Sequence, residues 1–195
     1  MRLIPYNQTG PSNVANLAAR LALVTPLIAL TSTACFAEDS CAALLPPELS
    51  EAATAAYPGY RPPRESDNLK EDVALWRASG SSPCLGLAQG NVYGDGQLAY
   101  ILRMAGPAEA WVVAAARKIG DHWSFEQIVK SPNGRNNLYV AIAAAGNYRA
   151  NSSENGGIEK SINCQHSVVL IGATEASETA YCRDVKGWRA LPLGD

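Results

Sequence analysis

Apolar positions recur with two different periods along this chain, and the change falls near Gly80. In 68–78, Leu69, Val73 and Trp76 recur at i, i+4 and i+7, which predicts a helix with one apolar stripe. Asp67 or Asn68 is placed to cap its start, and Gly80 to end it. Upstream, 48–56 reads as a short helix that Tyr57-Pro58-Gly59-Tyr60 terminates. Beyond Gly80 the apolar runs shorten and turn residues punctuate them. Segments 98–104, 111–116, 122–129, 138–145, 167–171, 178–182 and 188–191 read as strands, although the alanines of 138–145 also suit a helix. The connection 117–121 predicts a hairpin, Pro132-Asn133-Gly134 and Lys186-Gly187 read as turns, and 146–160 reads as a polar loop. The expected class is α+β, mainly β: an antiparallel sheet of about six short strands with one or two N-terminal helices packed on it.

The longest apolar run, 21–30, has a different meaning. Arg2 and Arg20 are the only charges before Glu38, and the run ends in Ala34-Cys35-Phe36-Ala37. A positive flank, a short apolar core and small residues at minus three and minus one predict a signal peptide over 1–37. The run is about half the roughly 20 residues that span a bilayer, and Pro26 interrupts it. Lipidation at Cys35 is the rival reading, weakened by Ser32, where a large aliphatic residue is expected. Cleavage after Ala37 leaves a Pro/Ala-rich arm, 38–65, and one β-rich domain, 66–195, exported to the periplasm or secreted. No membrane span is expected in the mature chain.

Charge narrows the partners further. The remaining chain carries 14 basic and 18 acidic residues, a net of −4, without a basic run. That offers no electrostatic footprint for nucleic acid. Cleavage also leaves four cysteines, Cys41, Cys84, Cys164 and Cys182, an even number suited to an oxidising compartment. Three pairings are open. A hairpin bounded by Cys164 and Cys182 favours joining those two, so that Cys41–Cys84 ties the arm to the sheet.

Asn91-Val92-Tyr93-Gly94-Asp95-Gly96-Gln97-Leu98-Ala99 has the frame of a calcium loop, with oxygens spaced by two and glycine at the turn. Asn91 and Asp95 supply oxygens, but Tyr93 and Ala99 occupy positions where carboxylates or amides are needed. Two side-chain ligands do not replace the hydration shell of a hard cation, so no metal is assigned to this degenerate loop. Segment 90–102 resembles the repeat of FG-GAP (integrin-alpha-like, or VCBS-like) proteins, in which an acidic Gly-Asp-Gly loop precedes an aliphatic strand. The chain is similar to small exported bacterial proteins with one such unit, ending in a segment like 175–181, a turn and a terminal aromatic strand such as Gly187-Trp188-Arg189. The resemblance implies β-blade-like strands and non-catalytic roles, while Tyr93 and Ala99 depart from the family's ion site. One copy of the loop is too little chain for a propeller.

Catalytic motifs are scarce. The chain has no Gly-x-Ser-x-Gly, no His-Glu-x-x-His and no phosphate-binding glycine loop. Cys164 and His166 would share one side of a strand as thiol and base, but exported cysteines in even number are usually bonded. As metal ligands, Cys164, His166 and Cys182 lack a fourth partner near in sequence, His122 being remote. No catalytic residue and no cofactor are assigned. The expectation is a non-enzymatic exported domain that binds a protein or other macromolecule, with Tyr148, Arg149 and Asn151 as candidate contacts in the polar loop. An inhibitor of a secreted hydrolase and a periplasmic enzyme are the alternatives. Oligomeric state is not legible.

Overall fold

The computed structural model describes residues 39–132, 134, 138–150, 160–174 and 176–194. The predicted leader, 1–37, and Asn151 lie outside them. Three short helices come first: α1 (Ser40–Leu44), α2 (Pro47–Ala56) and α3 (Lys70–Ala78). One antiparallel sheet then runs in sequence order through β1 (Leu87–Gly90), β2 (Ala99–Ala105), β3 (Trp111–Ile119) and β4 (His122–Ser131). β5 (Leu138–Ala143) belongs to a second sheet, while β6 (Gly146–Arg149) and β7 (Ser161–Cys164) form a separate hairpin. β8 (Val168–Ala173), β9 (Glu178–Asp184) and β10 (Gly187–Gly194) complete the second sheet in the order β10-β9-β8-β5, with every ladder antiparallel. The described strands number ten rather than about six. The three with no counterpart in the apolar pattern, β1, β6 and β7, are four residues each, too short for alternation to register.

Period-two alternation stacks these elements in layers. Leu102 and Met104 of β2, with Val112 and Ala116 of β3, face Leu45, Leu49 and Ala53 around α1 and α2. Their neighbours Ile101, Val113 and Ala115 point the other way, onto Val140, Val169 and Ile171 of the second sheet. That sheet's outer face, Val168, Ala180 and Leu191, is covered by Ile162 of β7 and by Ala150. The first sheet is thus buried on both faces, which is why β3 reads as a continuous apolar run instead of alternating.

The expected helix over 48–56 is present as α2, but the arm that carries it is not a separate segment: it also forms α1 and belongs to the core, with Cys41 and Leu49 essentially inaccessible. Further along it, Arg61 forms an antiparallel bridge to Ala105. The cap of α3 also differs. Leu69 takes the N-cap position because both expected caps are engaged elsewhere. Asp67 binds the Arg61 guanidinium and accepts from the Arg64 amide, and Asn68 accepts from the buried Arg103 at 2.7 Å. Gly80 closes the helix with φ +77°, as its position predicts.

Two disulfides join Cys41 to Cys84 and Cys164 to Cys182, with Cα separations of 4.9 and 5.5 Å. The first ties α1 to the segment entering β1. The second fastens the β6–β7 hairpin to the outer face of β9. Among the described residues, no helix is long and apolar enough to cross a membrane.

Candidate functional site

The apolar layer between the two sheets ends abruptly at one edge, and a charged cluster closes it. Arg117 continues the inward series Val113, Ala115 along β3, and Arg183 continues from Tyr181 along β9. Glu126 joins them through the β3–β4 hairpin register, which pairs it with inward-facing Ala115. Gln127 pairs with Ala114 and Val129 with Val113, so Ile128 is an extra residue. Across the bulge the parity resets, and Glu126 and Val129 both face the second sheet.

Tyr93 fills the centre of this cluster. Its ring lies between two guanidinium groups, with Arg117 Cζ 4.2 Å and Arg183 Cζ 4.7 Å from the ring centroid. Cation–π contacts of this kind strengthen when desolvated. The counter-charges are in place: Arg183 Nε donates to Glu126 Oε2 at 2.9 Å, and Arg117 pairs with Asp95 at 3.5 Å. Burial, and after it the Glu126 carboxylate, push the Tyr93 phenol up to about 12, although both arginines oppose the shift. The cluster is therefore a neutralised plug that holds the sheet ends in register.

The loop that carries Tyr93 is shaped by its own polar groups. Asn91 Oδ1 accepts from the Gly94 amide at 2.9 Å, and Asp95 Oδ1 from the Gln97 amide at 3.0 Å. Gly94 and Gly96 adopt φ of +74° and +81°, a region that favours glycine. The oxygens that give the loop its calcium-like frame are thus directed to its own backbone and, for Asp95, to Arg117. Among the described residues, no group of three or more His, Cys, Asp or Glu is placed to hold a metal.

Beside the plug lies an open groove of about 390 Å³, lined by Tyr93, Asn163, Gln165, His166, the β9 segment 182–184, Val185 and Arg189. His166 packs directly over Gly94, where an added Cβ would lie 2.1 Å from its ring. Asn163 and Gln165 are exposed along the same lining. Arg189 is 57% exposed and faces Asp184 at 3.7 Å, the geometry of a weak surface pair. The Asp184 carboxylate is also drawn to the turn, accepting from the Lys186 amide at 2.7 Å. Val185, at the tip of the β9–β10 hairpin, is fully exposed. A larger cavity, about 590 Å³ beside α3, is neutralised internally. Its Glu65 carboxylate is held below the usual range by hydrogen bonds from Ser40 and Arg77.

The candidate residues read from the sequence fall on both sides of this picture. Asn91 and Asp95 shape the loop that presents Tyr93 to the groove. Tyr148 and Arg149 sit on β6 instead of in a loop; the Tyr148 hydroxyl donates to the Ala144 carbonyl at 2.6 Å, and its ring packs on the outer core. Asn151, beside them in sequence, lies outside the described residues. Cys164 is bonded to Cys182, which leaves no thiol to pair with His166, and His122 is exposed at the start of β4. The groove's own residues, Arg183, Arg189 and Val185, were not candidates. A charged residue in phase with the core-facing Tyr181 is the signal that finds Arg183. No protein family, curated protein or solved structure matches the chain.

Proposed function

We propose that this is an exported, non-enzymatic binding domain that engages a partner protein through the end of the sandwich around Tyr93. The observation that carries the reading is the fully exposed Val185 on a two-residue hairpin turn, beside a groove of arginine, tyrosine and amide side chains. Covering an aliphatic side chain held at such a tip contributes favourable burial to a complex. Arg and Tyr are the residue types that most often dominate binding energy. The hairpin is rigid by construction, since the Cys164–Cys182 bridge anchors its first strand. Export agrees with the two disulfides and with the predicted leader, and the FG-GAP-like loop then serves as a scaffold for Tyr93 in place of an ion site. A narrower reading, an inhibitor that seats this tip in a secreted hydrolase, draws on the same Val185.

The test is photocross-linking in cells that produce the protein. A photoreactive phenylalanine analogue at position 185 should give a discrete adduct, whereas one at exposed position 54, on α2, should give none. A hydrolase in the adduct would select the narrower reading. Identical patterns at both positions, or none at 185, would refute the placement of the site.

A further inference from the structure

We infer that the groove takes an extended polypeptide segment that sets a carboxylate side chain against Arg189 and an aliphatic side chain against Val185. This rests on the binding-domain reading and names the chemistry of its partner. Three observations support it. The first is charge. The chain is net negative, yet the groove holds two guanidinium groups, Arg183 and Arg189, against one lining carboxylate, Asp184. Within that set the labour is divided. Arg183 is committed to Glu126 and to the Tyr93 ring. Arg189 has only the 3.7 Å contact to Asp184, so its guanidinium fork can turn to an incoming carboxylate at little cost.

The second observation is the shape of β9. Its pairing with β10 runs to Asp184↔Gly187, but its pairing with β8 stops at Tyr181↔Val169. β8 begins at Val168, opposite Cys182, so Arg183 and Asp184 project beyond it and line the groove. An extended chain is the ligand that such a strand end matches, because main-chain groups can continue the ladder while alternate side chains enter pockets. The third is the placement of apolar surface. Val185 stands at the mouth, so an occupant that reaches Arg189 with an acid covers Val185 with a residue close by in its own sequence. The exposed amides of Asn163 and Gln165 face the backbone of such an occupant, with both donors and acceptors available.

The test uses a random heptapeptide library displayed on phage, selected on the immobilised oxidised protein. Enriched peptides should carry Asp or Glu close to an aliphatic residue. The synthesised consensus peptide should lose about tenfold in affinity when its acid becomes the amide, in line with a charge-assisted hydrogen bond. Arg189→Gln should cost a similar factor, and the two changes together little more than either alone, because they break one contact. Acid-free peptides that still require Val185, failing on Val185→Asp, would overturn the carboxylate assignment and leave the binding reading standing. Peptides indifferent to both Arg189→Gln and Val185→Asp would overturn both. No enrichment would overturn the peptide assignment, and the cross-link from position 185 would then decide the broader reading alone.

Discussion

Gly94→Ala should damage this protein through a side chain that is 72 residues away in sequence. At Gly94 the backbone has φ +74°, and an added Cβ would stand 2.1 Å from Cε1 and 2.4 Å from Nδ1 of His166. Gly96 provides the internal control. Its φ is +81° in the same loop, yet nothing lies within 4 Å of the position its Cβ would take. Both substitutions incur the left-handed penalty of an L-residue, about 1–2 kcal/mol. Only Gly94→Ala must also expel the imidazole from its seat. The ring is the end of a half-buried side chain, so it swings aside instead of forcing the backbone apart. An off-rotamer histidine adds about 0.5–1.5 kcal/mol.

Urea unfolding of Gly94→Ala, Gly96→Ala, His166→Ala and the double variant Gly94→Ala/His166→Ala separates these terms. Gly94→Ala should exceed Gly96→Ala by about 1 kcal/mol, and removing the imidazole should erase that excess, giving a coupling of similar size in the cycle. Equal costs for the two glycines, with no coupling to His166, would show that the histidine does not sit over the loop, and the described wall of the groove would be wrong. The same variants bear on function. Gly94→Ala should alter peptide binding at the groove, while Gly96→Ala should leave it unchanged.

Three further outcomes follow from the same structure. Replacing both cysteines of the 41–84 pair by alanine should cost about 4 kcal/mol and of the 164–182 pair about 3 kcal/mol, from sequence separations of 43 and 18; chemical unfolding of each variant would show the reverse order if the hairpin bridge were the main clamp. Tyr93 keeps its proton in the folded state up to about pH 12 but only to about 10 when unfolded, so its stabilisation is complete below pH 10 and fades as pH rises to 12. Tyr93→Phe should flatten part of that alkaline fall in Tm, and an unchanged slope would place the phenol in water. Gly90→Ala would put a Cβ 2.8 Å from the Ile142 side chain between the sheets, an overpacking of about 1–3 kcal/mol. Ile142→Val should recover part of it by urea unfolding; additive losses would disprove the contact.

Local patterns were legible where one element decides its own form. The spacing of Leu69, Val73 and Trp76 marked α3, yet only Val73 of the three is fully buried; Leu69 is 54% exposed and Trp76 leans on Tyr139 at 5.2 Å. A helix laid on a sheet edge buries less than a full stripe, and periodicity cannot report how much. The two disulfides followed from which strands could form a hairpin. Four-residue strands escaped because two apolar positions do not make a pattern.

The site was hidden for a different reason. Tyr93, Arg117, Glu126 and Arg183 come from a loop and three strands, and no spacing relates them. Their convergence depends on register, and for Glu126 on the β3–β4 hairpin that pairs it with Ala115. Slip that pairing by a residue and Glu126 turns toward α2, leaving Arg183 without its carboxylate. A trace was nevertheless present. On β3 the inward series runs apolar to Ala115 and then reaches Arg117, and on β9 the inward face reaches Arg183 directly after the half-buried Tyr181. A charge in phase with a buried series has to lie where that burial stops, or it would lose its solvation without return. Two strands that end their inward series in this way, with different connections between them, mark one shared boundary of the core. The polar loop suited to close such a boundary is one whose ligand position has become aromatic, since a ring can cover apolar surface with its body and meet guanidinium groups over its π-system. Tyr93 is the residue that departs from the calcium-loop pattern in this way, and the same departure that removes an ion ligand supplies the plug.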